Sequence, residues 1–463
     1  MLLKSLNIIS LQDKNIFSNS IYISFLGFLI IIFFLIFGRR LKLAVQLERF
    51  GLPIAVISGI LGISIGPFGA IHFLPKETIN VWSNFPTPLL SLVFATLMMG
   101  RPIPNISGLV KPIFNQFLLA LSLGFGQFFV GGLVVEYFLP PSMDTNPLMG
   151  CLIEVGFEGG HGAASIIGES FNRLGFPNGL DLGLAMATMG LLSSSLLGSI
   201  FIFLGRTFGI SDTEEISEKK DNQKENTKIG IFADLRILII NLGFSGLAIS
   251  FGVLLLKFLK YISNPFGDFS REIIFSLPVF PFILIGSLLI RYILEKTKNT
   301  EFISNILQRE IGILSTDLLI FSAMASLDIS IVFENWKLIL VFTIFGLLWN
   351  LVCIAYFAYF IFDDYWFEKS LIEFGNSTGV VASGLLLLRL ADPKNISRTL
   401  PIFTSKQLFA QLVLSGGFFT VLAPLMIAKI GIDYWTEICA VITFVILLIA
   451  YIFNKGELKK SPS

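Results

Sequence analysis

Three glutamates and a histidine stand in stretches that are otherwise apolar or glycine-rich. Glu154, Glu158 and His161 fall in Ile153-Glu154-Val155-Gly156-Phe157-Glu158-Gly159-Gly160-His161-Gly162, and Glu373 falls in Ile372-Glu373-Phe374-Gly375. An ionisable side chain at membrane depth costs a few kcal/mol and marks a functional site by default. The structural alternative is that each pairs with a basic residue such as Arg173, Arg389 or Lys406 to hold its segment. Both roles suit Glu154 and Glu373, whose equivalent positions fit a symmetric structural part, whereas Glu158, next to Gly159, points to function. Its carboxylate placed about 5 Å from an anionic substrate would cost ~3 kcal/mol at an effective dielectric of about 20. Glu158 therefore binds a cation, carries a proton or faces away from the substrate. His161 can donate a hydrogen bond or accept a proton, though a lone histidine is more often a satisfied structural donor than a ligand.

Hydroxyls and amides gather at the same places: Ser165, Asn376, Ser377, Thr378 and Ser383. With unwound carbonyls they can hold a dehydrated Na⁺, expected at Ser377, Thr378 and Glu158, while free N–H groups at half-helix N-termini favour a carboxylate. Some of these hydroxyls serve only their own helices. Ser193, Ser194 and Ser195 allow close helix approach, and Gln116, Gln127 and Asn350 read as interhelical hydrogen bonds. Two histidines and three cysteines leave no ligand set for a metalloenzyme. The motifs of serine hydrolases, zinc proteases and ATP-driven pumps are missing from the sequence.

The elements that must position these residues are membrane spans. Of 463 residues, 54% are hydrophobic and 14% charged, with a net charge of +1, which excludes a water-soluble single domain and any general affinity for nucleic acid. Apolar runs of spanning length are expected at Ile21 to Phe37, Leu52 to Phe73, Pro112 to Phe138, Leu180 to Leu204, Leu235 to Leu256, Ile273 to Ile290, Ile311 to Phe333, Trp336 to Phe362, Thr404 to Ile427 and Tyr434 to Phe453, with a short one at Pro86 to Met99. The first reads as a membrane span, not a cleaved leader. Ser211 to Lys228 is polar but for Ile216 and reads as a cytoplasmic linker. The expected organisation is a first membrane repeat over 1–205, a linker over 206–234, a second repeat over 235–427 and an extra C-terminal span with tail over 428–463.

The two halves resemble each other where the acids lie. Ile153-Glu154-Val155-Gly156 with Gly160 matches Ile372-Glu373-Phe374-Gly375 with Gly379, 219 residues on. Glycine clusters, Gly159-Gly160-His161-Gly162 and Gly375 to Gly379, split the segments 147–175 and 370–390 into arms about half a bilayer long. Such broken segments in matching positions of two halves point to a transporter's binding site. If both return to the side they left, basic residues such as Arg39, Arg40, Lys219, Lys220, Arg291 and Lys296 collect on the inside.

Asn146-Pro147-Leu148-Met149-Gly150, Gly159-Gly160-His161-Gly162-Ala163-Ala164 and Ala185-Met186-Ala187-Thr188-Met189-Gly190-Leu191 resemble the sodium/glutamate symporter family of bacteria. Weaker similarity covers Leu277-Pro278, Ala323 to Leu327 and Glu373 to Ser383. The resemblance implies an all-α polytopic protein of the plasma membrane with two inverted-topology repeats, acting as a homodimeric elevator-type carrier that couples Na⁺ to glutamate uptake. It brings His161 toward the site and implies Gly159, Gly160, His161, Gly162, Ser165, Gly375, Asn376, Ser377, Thr378 and Gly379 as substrate-binding, with Glu154, Glu158 and Glu373 for coupling. The chain departs from the family at Glu154, Glu158 and Glu373. It also carries Lys406, Gln407, Gln411, Ser415, Gly416 and Gly417 where the family has a different run. An H⁺-coupled carrier of a neutral or cationic solute, with Glu158 and His161 carrying the proton, is the alternative.

Overall fold

The computed structural model describes residues 25, 27–41, 54–66, 81–101, 103, 108–139, 145–210, 231–263, 271, 274–275, 277–393 and 396–454. The linker Ser211 to Lys228 lies outside them, as do the outer parts of the first two spans. Every regular element described is helical. They run as α1 (27–41), α2 (Ile54–Ile65), α3 (Pro86–Met99), α4 (Val110–Leu133, continued by a π turn Val134–Phe138), α5 (Leu152–Gly156, preceded by a 3₁₀ turn Pro147–Cys151), α6 (Gly160–Arg173) and α7 (Gly179–Thr207). Beyond the linker come α8 (Ile231–Ile262), α9 (Phe280–Lys296), α10 (Asn305–Ala325), α11 (Ile329–Glu334), α12 (Trp336–Val352, continued by a π turn Cys353–Phe357), α13 (Ala358–Ile361), α14 (Trp366–Thr378), α15 (Val381–Ala391), α16 (Thr399–Val413), α17 (Phe418–Ile430) and α18 (Ile432–Asn454).

Local chemistry sets several starts. Prolines open α3 and α9, where the missing N–H costs nothing. Ser304 and Asp328 cap α10 and α11 by accepting from Leu307 N and Ser330 N at 3.2 and 3.0 Å. The Asp328 cap corrects one reading: Ile311 to Phe333 is not one span, because the chain turns after Ala325 and restarts at Ile329. Six helical stretches among the described residues are long and apolar enough to cross a membrane: Val110–Phe138, Gly179–Thr207, Leu235–Ile262, Trp336–Ile361, Ile432–Asn454 and Thr399–Ile430, the last made of α16 and α17. Their outward faces carry large apolar residues such as Phe203, Phe444 and Phe453, as contact with lipid demands.

Element starts repeat along the chain. Pro86 and Asn305, Val110 and Ile329, Val134 and Cys353, and Pro147 and Trp366 are each 219 residues apart. The match extends to the two π turns, which are rare single-turn departures from α-helix.

Both broken segments are hairpins. In the first, Asn146 Nδ2 donates to Gly175 O at 2.9 Å, closing the base. Along α7, Gly183 lies against Val155 and Ala164, while Met186 meets Gly156 and Gly190 meets Phe157. The first arm therefore runs with α7. The second runs against it, since Ala164, Gly168 and Phe171 meet Gly183, Leu180 and Gly179 in turn. The second hairpin folds on the other half of α7 in the reverse sense: Gly190, Ser194 and Gly205 meet Thr378, Gly375 and Phe367. Its arms touch backbone to backbone where a Cβ on Gly375 would lie 2.5 Å from Gly384 Cα, a separation only paired glycines permit.

The second break is displaced from its expected place. Helix α14 continues through Gly375 to Thr378, and the chain unwinds only at Gly379 and Val380. Gly375 is thus a packing residue inside an arm. A third break was not foreseen: Thr404 to Ile427, read as one span, is interrupted at 414–417, with Ser415 and Gly416 at φ 59° and 85°.

Candidate functional site

The two hairpin tips meet at the middle of α7. Gly160 adopts φ 63°, and a Cβ there would lie 3.5 Å from Gly379 O and Val380 Cγ1. Positive φ is cheap only for glycine, and it turns the chain into α6 with the helix N-terminus aimed at the facing tip. Helix α15 likewise starts at that tip. Two helix N-termini therefore converge on one point, and both favour negative charge.

Three carboxylates lie on the arms that lead to these tips, in unlike settings. Glu373 is fully buried and paired: Lys406 Nζ lies 2.8 Å from Oε1 and donates to Oε2 at 2.9 Å, and Gln116 Nε2 donates to Oε1 at 2.9 Å. Lys406 is equally buried and sits 4.7 Å from the Phe403 ring centroid. Arg173 instead meets the exposed Glu169.

Glu154 is also at 0% exposure, yet it has no basic partner among the described residues. Its Oε1 accepts from Thr420 Oγ1 at 2.6 Å and Ser415 N at 3.4 Å. Glu158, at 5% exposure, accepts through Oε1 from Ser415 Oγ at 2.7 Å and Asn376 Nδ2 at 3.3 Å. The second oxygen of each, Oε2, accepts nothing. The third break thus supplies donors to both acids, a role its Ser415-Gly416-Gly417 run announces only once the neighbouring hairpin is in place.

His161 is buried and approaches Thr188 Oγ1 at 3.1 Å through Nε2. Thr188 commits its single hydroxyl hydrogen to Leu184 O at 3.0 Å, so Nε2 carries the proton and Nδ1 keeps a bare lone pair with no partner. Ser165 donates to His161 O one turn back at 2.7 Å and acts within its own helix. Asn376 Oδ1 accepts from Gln407 Nε2 at 3.0 Å, Ser377 O accepts from Gln127 Nε2 at 2.8 Å, and Thr378 Oγ1 accepts from Asn350 Nδ2 at 2.9 Å. Ser377 Oγ and Ser383 Oγ are buried without a partner. Gly159 and Gly162 flank the first tip. Among the described residues no group of His, Cys, Asp and Glu forms a metal-ligand set. A Na⁺ at this site would draw on hydroxyls, carbonyls and individual carboxylates instead.

Six stretches of spanning length around two hairpins with a buried polar centre make an all-helical polytopic membrane protein. The chain belongs to the sodium/glutamate symporter family, whose sequence model matches residues 22–365; that is a family of transporters and not of enzymes. It is similar to the sodium/glutamate symporters of Escherichia coli (strain K12) and Shigella flexneri, 26% identical to each over 222 residues, or 44% of this chain and 52% of the relative. The matched region is thus about half the length of these curated relatives. A sodium proton antiporter from Methanocaldococcus jannaschii aligns over 91% of this chain and 99% of its own at 15% identity, with a TM-score of 0.37, too low to bear on fold or function.

Proposed function

We propose that the protein is a Na⁺-driven carrier of a small acidic amino acid, glutamate or a close relative, across the plasma membrane. The observation that carries this reading is the meeting of two hairpin tips, folded in opposite senses on α7, at one buried polar centre. Such half-length segments at membrane depth are tolerated where they line a site. The spacing of 219 to 221 residues between matching element starts, with hairpins folded in opposite senses on α7, supports two inverted repeats, with the linker outside the described residues joining them. Family membership supports a homodimer working by elevator motion, in which the hairpins and α7 move as a body.

Charge favours cation coupling. Among the described residues the centre holds Glu154, Glu158 and Glu373 against the ammonium of Lys406, so Glu154 and Glu158, when ionised, call for two further positive charges. Na⁺ and the α-ammonium of an amino acid supply them, while the converging N-termini of α6 and α15 receive the carboxylates. The second reading, an H⁺-coupled carrier of a neutral or cationic solute, is favoured by the absence of a basic partner for Glu154 and Glu158 among the described residues.

Proteoliposome uptake separates the two. With Na⁺ and pH gradients imposed independently, concentrative uptake of labelled glutamate is expected under an inward Na⁺ gradient and is lost when choline replaces Na⁺. Uptake unchanged in choline under a fixed pH gradient would establish the second reading. Glu158→Gln is expected to preserve glutamate binding and to weaken its Na⁺ dependence in equilibrium binding assays. If it instead confers glutamate binding on a protein that lacks it, the natural cargo is not an acidic amino acid.

A further inference from the structure

From the geometry we infer a Na⁺ site between Glu154 and Glu158 of the first hairpin and Ser415 and Thr420 at the third break, distinct from Ser377 and Thr378. The inference rests on the Na⁺-coupled reading above and locates its ion. Glu154 and Glu158 stand one helical turn apart, and Ser415 ties them together, with its N–H on one and its hydroxyl on the other. Their Oε2 atoms are buried and accept nothing. Ser415 Oγ, having donated its hydrogen, keeps lone pairs for a cation.

Among the described residues, every polar group that touches these two carboxylates through a side chain is an OH or NH₂ donor: Thr420, Ser415 and Asn376. Such donors orient a carboxylate without neutralising it, so two buried carboxyls side by side either hold a proton or take a cation as counter-charge. Oxygen donors of this kind, with the carbonyls of the unwound stretches 157–159 and 414–417, are the ligands a hard monovalent cation takes. Thr378 Oγ1 accepts from Asn350 Nδ2 at 2.9 Å at the other hairpin tip and is no part of this set. Ser415 holds φ 59° without being glycine, a strain of the sort that surroundings fix at functional sites. Because the site joins the first hairpin to the second half of the chain, bound Na⁺ would fasten the hairpin to α16 and α17 and so report its own occupancy to the tips.

The test uses thermal unfolding of the full-length protein in detergent, titrated with NaCl against choline chloride at constant ionic strength. Wild type is expected to show a saturable rise in melting temperature. Glu154→Gln and Glu158→Gln should raise the half-saturating Na⁺ concentration by about tenfold or more, and Ser415→Ala by a smaller factor. In choline alone, both Gln variants should melt no lower than wild type, because the carboxyl they replace has no counter-ion there. A merely structural role would lower that melting point and leave half-saturation unchanged. Half-saturation equal to wild type in all three variants overturns the assignment while leaving Na⁺ coupling intact. A wild type indifferent to Na⁺ in both this titration and uptake overturns the coupled reading itself.

Discussion

Replacing Lys406 by methionine is expected to destabilise the protein by about 3–5 kcal/mol, the usual cost of stranding one member of a buried ion pair. Lys406 and Glu373 are both at 0% exposure and 2.8 Å apart. Methionine keeps much of the side-chain volume and the contact with Phe403, so the loss isolates charge from packing. The stranded carboxylate retains only Gln116 as a donor to Oε1, which cannot compensate it. Adding Glu373→Gln to Lys406→Met should recover most of the loss, since removing both charges of a buried pair is often neutral or stabilising. Thermal unfolding in detergent reads both steps. A Lys406→Met protein as stable as wild type would show that Glu373 is neutralised by something other than Lys406.

Gly190→Ala is expected to reduce uptake by about a hundredfold or more, because displacing a positioned site by about 1 Å is worth that much. A Cβ at residue 190 would overlap the Thr378 carbonyl oxygen and lie 2.7 Å from Phe157 Cδ1. Thr378 ends the arm leading to the second tip, and Phe157 begins the first. This one methyl therefore pushes on both tips, and neither obstacle is the free end of a flexible chain. Gly243→Ala in α8 is the control, since a Cβ there meets nothing within 4 Å, and it should transport like wild type. Uptake by Gly190→Ala matching that control would mean the tips tolerate separation and do not form the site.

Much of this arrangement is legible in the chain before folding. The glycine clusters mark both hairpins, and pairing of an acid with Lys406 is among the readings open for Glu373. Glycine content cannot place the breaks, however. Gly126 and Gly132 stay helical within α4, where Trp349 and Thr436 pack against them, whereas Gly416, at φ 85° against Ala163, marks a break. Each has a neighbour from elsewhere in the sequence, so the glycine alone does not tell them apart. Symmetry between Glu154 and Glu373 also misleads. Lys406 is the eighth residue of α16, and the eighth residue of α7 is Met186, so the first half carries no ammonium where the second does. Equivalent acids therefore meet unlike surroundings: Glu373 is paired in place, and Glu154 has only hydroxyl and backbone donors. Ser415 and Thr420 complete that second setting, and their approach to Glu154 spans more than 260 residues of sequence.

Symport requires that each solute promote the movement of the other, since coupling free energy is reciprocal. The most direct measurement is ²²Na⁺ influx into proteoliposomes with the membrane potential clamped, with and without external glutamate. Glutamate is expected to accelerate ²²Na⁺ influx saturably in the wild type and to have no effect in Gly190→Ala. Sodium influx in the wild type that is indifferent to glutamate at every concentration would contradict the account.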